Sequence, residues 1–388
     1  MAESLRLAPQ VKGRSGITDV PGPAGTPQAE ETARRRRVPG SSHIRDRELP
    51  VFTRELAAML SAGVSLIDAL TTMERQISHA VFRSVIRDVR REVERGSRFT
   101  RALARYPSVF EIIYVRMLQT GEISGKLAET LERLAAYLEA SLELRRKVTA
   151  AMMYPLVVAC IAGILFTGMM LWIVPGFQSI YADLGGSLPV PTRVLLGLST
   201  ILRENVLSVA AFIAIVWASG RMVVRHTKAG AVAWDSFVLS LPVFGPLIDK
   251  ICWTRFCESM SQMLSNGIPI LAALELGAET AGNRVHQRVI VQARADVAHG
   301  EPLSVALGKH KSASGLLVKM LSCGEKTGRM DQMLDKVAEF YRSEVAIILS
   351  EMTSLLEPLL IAFLGVIIGG MVLCMFLPIF QMHELVTM

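Results

Sequence analysis

Two stretches of this chain, 204 residues apart, carry nearly the same text. Phe52-Thr-Arg-Glu-Leu-Ala-Ala-Met-Leu-Ser-Ala-Gly63 returns as Phe256-Cys-Glu-Ser-Met-Ser-Gln-Met-Leu-Ser-Asn-Gly267. Further on, Gly121-Glu122-Ile-Ser124-Gly125-Lys126 returns as Gly324-Glu325-Lys-Thr327-Gly328-Arg329, and Pro155 and Pro358 each open a long apolar run. A duplication of this kind dictates the architecture before any single residue is weighed. The order reads as module, membrane span, module, membrane span.

With 51% hydrophobic residues in 388 and a mean hydropathy of +0.38, the chain is too apolar for an ordinary soluble protein. No charge occurs between Val148 and Ala182, nor between Pro358 and Met382, and each run exceeds the ~20 residues that cross a bilayer. These give spans at 151–176 and 356–381. Asn205 to Gly220 is apolar but short, so a third span over 205–224 needs Arg221 to sit near the headgroups. Topology requires it, because two like modules that each precede a span share a side only if the chain crosses back between them. Basic residues flank the modules (Arg145, Arg146 and Lys147; Arg221, Arg225 and Lys228), whereas the loop 177–204 is poor in them, which places both modules in the cytoplasm and the loop outside. The stretch 1–48, rich in Pro, Gly and Arg, reads as a disordered tail, and it has no apolar core of a signal peptide. Its run Arg34 to Arg37 suits a solvated tail or anionic lipid. The net charge of +7 follows from this run and from the span flanks, so it does not point to nucleic acid.

Within the modules, 49–150 and 250–352, apolar residues recur at helical spacing and glycines punctuate them, which predicts two all-α bundles of about six helices. The Gly-Glu-x-x-Gly segments are not phosphate loops: no strand precedes them and no Ser or Thr follows Lys126 or Arg329. They read as turns between helices, or as partner-docking tips formed by Glu122, Ser124 and Lys126 and by Glu325, Thr327 and Arg329. Glu132, Glu139 and Glu143 share one helix face, fit for a solvated stripe, a divalent cation or a basic partner, but the second copy has Asp335, Arg342 and Ala346 there. Proline suits a first helical turn, so Pro155 and Pro358 read as helix starts. Glu357 then serves either as a residue at a helix's positive end or as a contact for a partner's membrane helix. The five cysteines form no CxxC pair, which predicts neither disulfide nor metal site.

Lys147-Val-x-x-Ala-Met-x-Tyr154-Pro155, with Pro175 closing the first span, the turn glycines Gly121, Gly125, Gly324 and Gly328, and Glu357-Pro358 with Pro378 near the end, resembles the type II secretion system protein F family. The resemblance runs from about Phe52 to Met382. It implies an integral bacterial inner-membrane protein with two cytoplasmic six-helix domains, three transmembrane helices and no enzymatic activity or cofactor. It further implies a homo-oligomer that couples a hexameric secretion ATPase to pilin or pseudopilin extraction alongside other inner-membrane secretion components, in a secretion, pilus or DNA-uptake machine. Rival readings are a transporter or intramembrane enzyme, which would need ionisable groups at membrane depth, and a membrane signalling scaffold.

Overall fold

The computed structural model describes residues 40–176, 190–205, 227–242 and 244–386, with single helical positions at 208, 211, 215, 218 and 220. Among these every regular element is helical. The first module comprises α1 (Leu49–Ser61), α2 (Leu66–Gln76), α3 (Ala80–Glu94), α4 (Phe99–Leu103), α5 (Ile112–Ile123) and the start of α6 (Leu127–Gly168). After α7 (Val190–Glu204) and α8 (Lys228–Ser240), the second module repeats the series as α9 (Phe244–Ser265), α10 (Ile270–Thr280), α11 (Arg284–Ala298), α12 (Leu303–Gly308), α13 (Gly315–Thr327) and the start of α14 (Met330–Val386). The sequence duplication is thus a structural one, helix for helix.

Local chemistry sets the helix ends in both copies. Pro50 follows the π-helical turn Ile44–Glu48, and its missing N–H interrupts the main-chain hydrogen bonding where that turn passes into α1. Ser65 caps α2 by accepting from the Asp68 N–H at 3.2 Å, Asn283 caps α11 through Val285 at 2.8 Å, and Ser314 caps α13 through Leu317 at 3.2 Å. The cores also correspond: Phe52 meets Phe82 edge-on at 5.5 Å, and at the equivalent place Trp253 meets both Phe256 and His286 edge-on.

One ion pair is conserved in place and reversed in sign. In the first module Arg54 on α1 donates to Glu139 on α6 through Nε at 2.8 Å and Nη2 at 2.5 Å. In the second, Glu258 on α9 occupies the Arg54 position and accepts from Arg342, which occupies the Glu139 position, at 3.1 and 2.5 Å. Two residues of the acidic stripe are paired along the helix surface: Glu139 holds Arg54, and Glu143 pairs with Lys147 at 2.7 Å, while Glu132 stays exposed. Exposure separates the two pairs, since Arg54 and Glu139 are 42% and 46% exposed and Glu258 only 5%. Burial holds the Glu258 carboxyl above its usual range, although Arg342 pulls it down.

Several sequence expectations change. The tail does not extend to residue 48: Ser41–His43 and a π-helical turn, Ile44–Glu48, lead into α1, with Ile44 fully buried, Arg45 paired to Glu111 at 2.6 Å and Asp46 to Arg145 at 2.5 Å. One buried apolar residue among charged ones leaves too little periodicity to read. Neither Pro155 nor Pro358 starts a helix, and Glu357 is not a helix-start residue. Pro155 lies inside α6, which runs on through a π-helical turn, Met169–Ile173, to residue 176, and Glu357 and Pro358 lie inside the 57-residue α14. A proline interrupts one main-chain hydrogen bond, but the uninterrupted apolar run on both sides favours helix in lipid more strongly. α7 fills the end of the stretch read as a loop: its Leu196 packs with Met170, Val174 and Met371, and the Ser199 hydroxyl donates to the Met170 carbonyl at 2.5 Å. The second module begins at Phe244 rather than at residue 250, and the third expected span, 205–224, falls largely outside the described residues.

Among the described residues two helices, α6 with its extension and α14, are long and apolar enough to cross a membrane. α8 and α9 together pass the same test of length and composition, but they bend by 113° and Trp253, Phe256 and Met260 of α9 are buried in the second module, so α9 is module core.

Truncating Arg342 to Ala leaves a buried carboxylate without its hydrogen-bonded cation and should destabilise the protein by about 3–5 kcal/mol, whereas Arg54→Ala at the exposed pair should cost under about 1 kcal/mol. The Arg342→Ala deficit should shrink as the pH falls toward the raised Glu258 pKa, because neutral Glu258 needs no cation. Thermal unfolding of the detergent-solubilised chain against pH measures both.

Candidate functional site: the duplicated turns and the helix pair that enters the membrane

The Gly-Glu-x-x-Gly turns join α5 to α6 and α13 to α14, and each residue of the motif has a separate task. The first glycine permits close approach. A Cβ on Gly121 would press into Thr130, and one on Gly324 would lie 2.8 Å from the Met330 Cα. The second glycine turns the chain: Gly125 and Gly328 sit at φ 72° and 69°, the left-handed region that glycine enters without steric cost. Lys126 N–H then donates to the Gly121 carbonyl at 2.8 Å, and Arg329 N–H to the Gly324 carbonyl at 3.1 Å, closing the helix end.

The glutamate reaches backward rather than outward. Glu122 accepts from the main-chain N–H groups of Phe99 at 2.7 Å and Thr100 at 3.2 Å, and from the Thr100 hydroxyl. Glu325 does the same for Ser304, at 3.1 Å to its N–H and 2.5 Å to its hydroxyl. Neither α4 nor α12 has a side-chain cap of its own, so the carboxylate supplies the anion that their N-termini need. The hydroxyl at Thr100 and Ser304, at matching places in the two copies, was the sequence signal for this role. Ser124, Lys126, Thr327 and Arg329 remain exposed at the turn tips, and Gly121 and Gly324 are buried beneath them.

Below the turns, α6 and α14 come together where they leave the modules. Leu144, Val345, Leu349 and Met352, with Leu247 of α9, form a small core of their own, bordered by Val148, Ala151 and Met152. Lys147 sits exposed beside Glu143. Next toward the membrane, Tyr154 and Glu357, which hold equivalent positions in the two copies, face one another: the Tyr154 hydroxyl donates to Glu357 Oε1 at 3.5 Å. Pro155 and Pro358 follow them. Pro175 closes the described part of the first span, and Pro378 lies in the last turns of α14. Past the neck the two helices turn large apolar side chains outward, among them Leu156, Ile164, Trp172, Leu359 and Val366, a surface that only lipid or another apolar helix can cover.

A family profile described as "Type II secretion system (T2SS), protein F" matches residues 52–175 and again 256–378, one copy for each module with its span. The chain belongs to this family. Proteins similar to it include type IV pilus assembly protein PilC of Thermus thermophilus, 38% identical over 98% of this chain and 93% of the relative. PilC of Myxococcus xanthus is 37% identical over 89% and 82%. Type II secretion system protein F of Pseudomonas aeruginosa is 29% identical over 88% and 84%. The family's two matches end at Pro175 and Pro378 and so each includes a full membrane-crossing run. Long apolar helices and these relatives make the chain an inner-membrane protein. Cys252 and Cys257, both on α9, are buried; burial pushes the Cys252 thiol up to about 12 and the Cys257 thiol higher, so both pack as small apolar groups.

Gly324→Ala forces a Cβ against main-chain atoms, and Gly328→Ala only a less favoured φ with open space around it. The first should cost about 1–3 kcal/mol and the second about 1 kcal/mol. Unfolding of the purified variants in detergent would reveal the order.

Proposed function

We propose that this protein is the inner-membrane platform of a type IV pilus or type II secretion machine, passing movement from a cytoplasmic ATPase to pilin-like subunits in the bilayer. One observation carries the reading: in each copy the sixth helix of the module is also the membrane span, so a push on the module moves the apolar surface below it without a hinge in between. Of the two machines, the higher identity to relatives named as pilus assembly proteins favours pilus assembly. In this account both modules face the cytoplasm, the chain crosses three times, and the domains run 41–150 and 244–352 with spans at 151–176, 205–224 and 356–381. The protein carries out no chemistry itself; hydrolysis belongs to the ATPase.

The exposed tips at Ser124, Lys126, Thr327 and Arg329 are the surfaces offered to the ATPase. Glu122 and Glu325 shape those tips from within. The outward faces of the spans, Val366 among them, are the surfaces offered to a pilin's membrane helix, with Glu357 as the polar group nearest the bilayer surface for an amine at that helix's end.

Photoreactive residues at Ser124, Thr327 and Val366 in intact membranes test this. The reading expects a secretion-type ATPase on the first two and a pilin-like protein on the third, with the identity of the pilin naming the machine. Well-inserted protein that captures neither, while capturing other proteins, would favour a scaffold instead. A membrane-impermeant maleimide should label Ser124→Cys and Thr327→Cys only after the inner membrane is opened; labelling of intact spheroplasts would reverse the orientation.

A further inference from the structure

The two halves of the chain meet through unlike faces, and one face of each kind is left open. At the neck α6 contributes Leu144, Val148 and Met152, whereas α14 contributes Val345, Leu349 and Met352. In the repeat, the α14 residues equivalent to the α6 face are Ile347, Glu351 and Leu355, all exposed; the α6 residues equivalent to the α14 face include Arg146 and Thr149, also exposed.

The modules show the same asymmetry. Arg133 of α6 donates to the Ser265 carbonyl at the end of α9, at 2.8 Å, and Tyr137, one turn on, is half-buried near Arg255 and Glu258 of that helix. Among the described residues, the second module's equivalents, Lys336 and Phe340, have no such cover. They line a groove of about 560 Å³ together with Leu316 and Met320. Exposure shows the difference at matched positions: Ile113 is 3% exposed and its counterpart Leu316 37%. At the other end, Val51 and Ser61 of α1, the counterparts of Arg255 and Ser265, lie on the surface.

A contact between unlike faces of repeated units does not close on itself; it propagates until a ring or filament results. We propose that a second copy of this chain repeats in trans the contact that joins the two modules in cis. The end of the neighbour's α1, Val51–Ser61, enters the groove of Lys336 and Phe340, and Glu351 of one copy stands opposite Arg146 of the next. The chemistry agrees with the cis contact: Lys336, like Arg133, meets the carbonyl end of a helix, where a cation is favoured, and the neck faces are of opposite charge. The inference deepens the homo-oligomer part of the platform reading. Its test reads contact between copies with no ATPase or pilin present, so either can fail alone.

The full chain, bearing a photoreactive residue at Phe340 and expressed in membranes of a host without pilus or secretion components, provides the measurement. A crosslinked dimer whose joined peptide spans Val51–Ser61 of the second copy is expected. Glu351→Arg should lower the dimer yield about fivefold at equal membrane content, and adding Arg146→Glu should restore it. Crosslinks to the second copy's own Phe340 region, to other proteins or to no protein, or a loss that the second substitution does not rescue, overturn the proposal.

Discussion

The structure depends on two helices that do not stop at the membrane. α6 and α14 each begin as the sixth helix of a soluble bundle and continue as a bilayer span, so one helix, missing a main-chain hydrogen bond only where a proline stands, links water-facing and lipid-facing parts. Everything else is arranged around that. The Gly-Glu-x-x-Gly turn fixes where each long helix starts, the charge-reversed pairs Arg54–Glu139 and Glu258–Arg342 hold it to the first helix of its module, and the neck core joins the two rods. Because both copies use the same device, the protein presents two modules and two levers built to one plan.

Charge reversal between the copies shows what duplication retains. The position of the ion pair is kept, while the sign on each helix is free, since either order satisfies the same geometry. Burial then makes the copies unequal: Glu258 of the second pair is buried close to the first module's Tyr137, and the first pair is left in solvent. An internal repeat whose halves meet through different faces has given up two-fold equivalence, and that is what leaves a groove on one module and an uncovered helix end on the other.

The duplication, the six-helix modules and the two charge-free spans were legible because periodicity and fixed spacing are local signals that repeat. Pro155 and Pro358 misled because proline's preference for a first helical turn competes with an apolar environment that admits only helix, and sequence spacing does not rank the two. The segment from Ser41 to Glu48 was hidden because Ile44 alone provides its burial and the rest of its binding comes from distant partners, Glu111 and Arg145. Glu122 and Glu325 were found and read as parts of a helix-to-helix turn or of a partner-docking tip, without their partners at Thr100 and Ser304. Their inward role depends on α4 and α12 folding back across α5 and α13, a tertiary fact that no local pattern encodes.

The unbroken rod is the central claim, and a distance along it tests that claim most directly. Spin labels at Glu132 in the module and Ile161 in the span, in lipid nanodiscs, lie 29 residues apart on one helix. At 1.5 Å per residue the account predicts one narrow distribution near ~44 Å, shortened by only a few Å if Pro155 bends the helix. A broad distribution, or one centred well below that, would mean a hinge between module and membrane, and the transmission of movement proposed here would lose its basis.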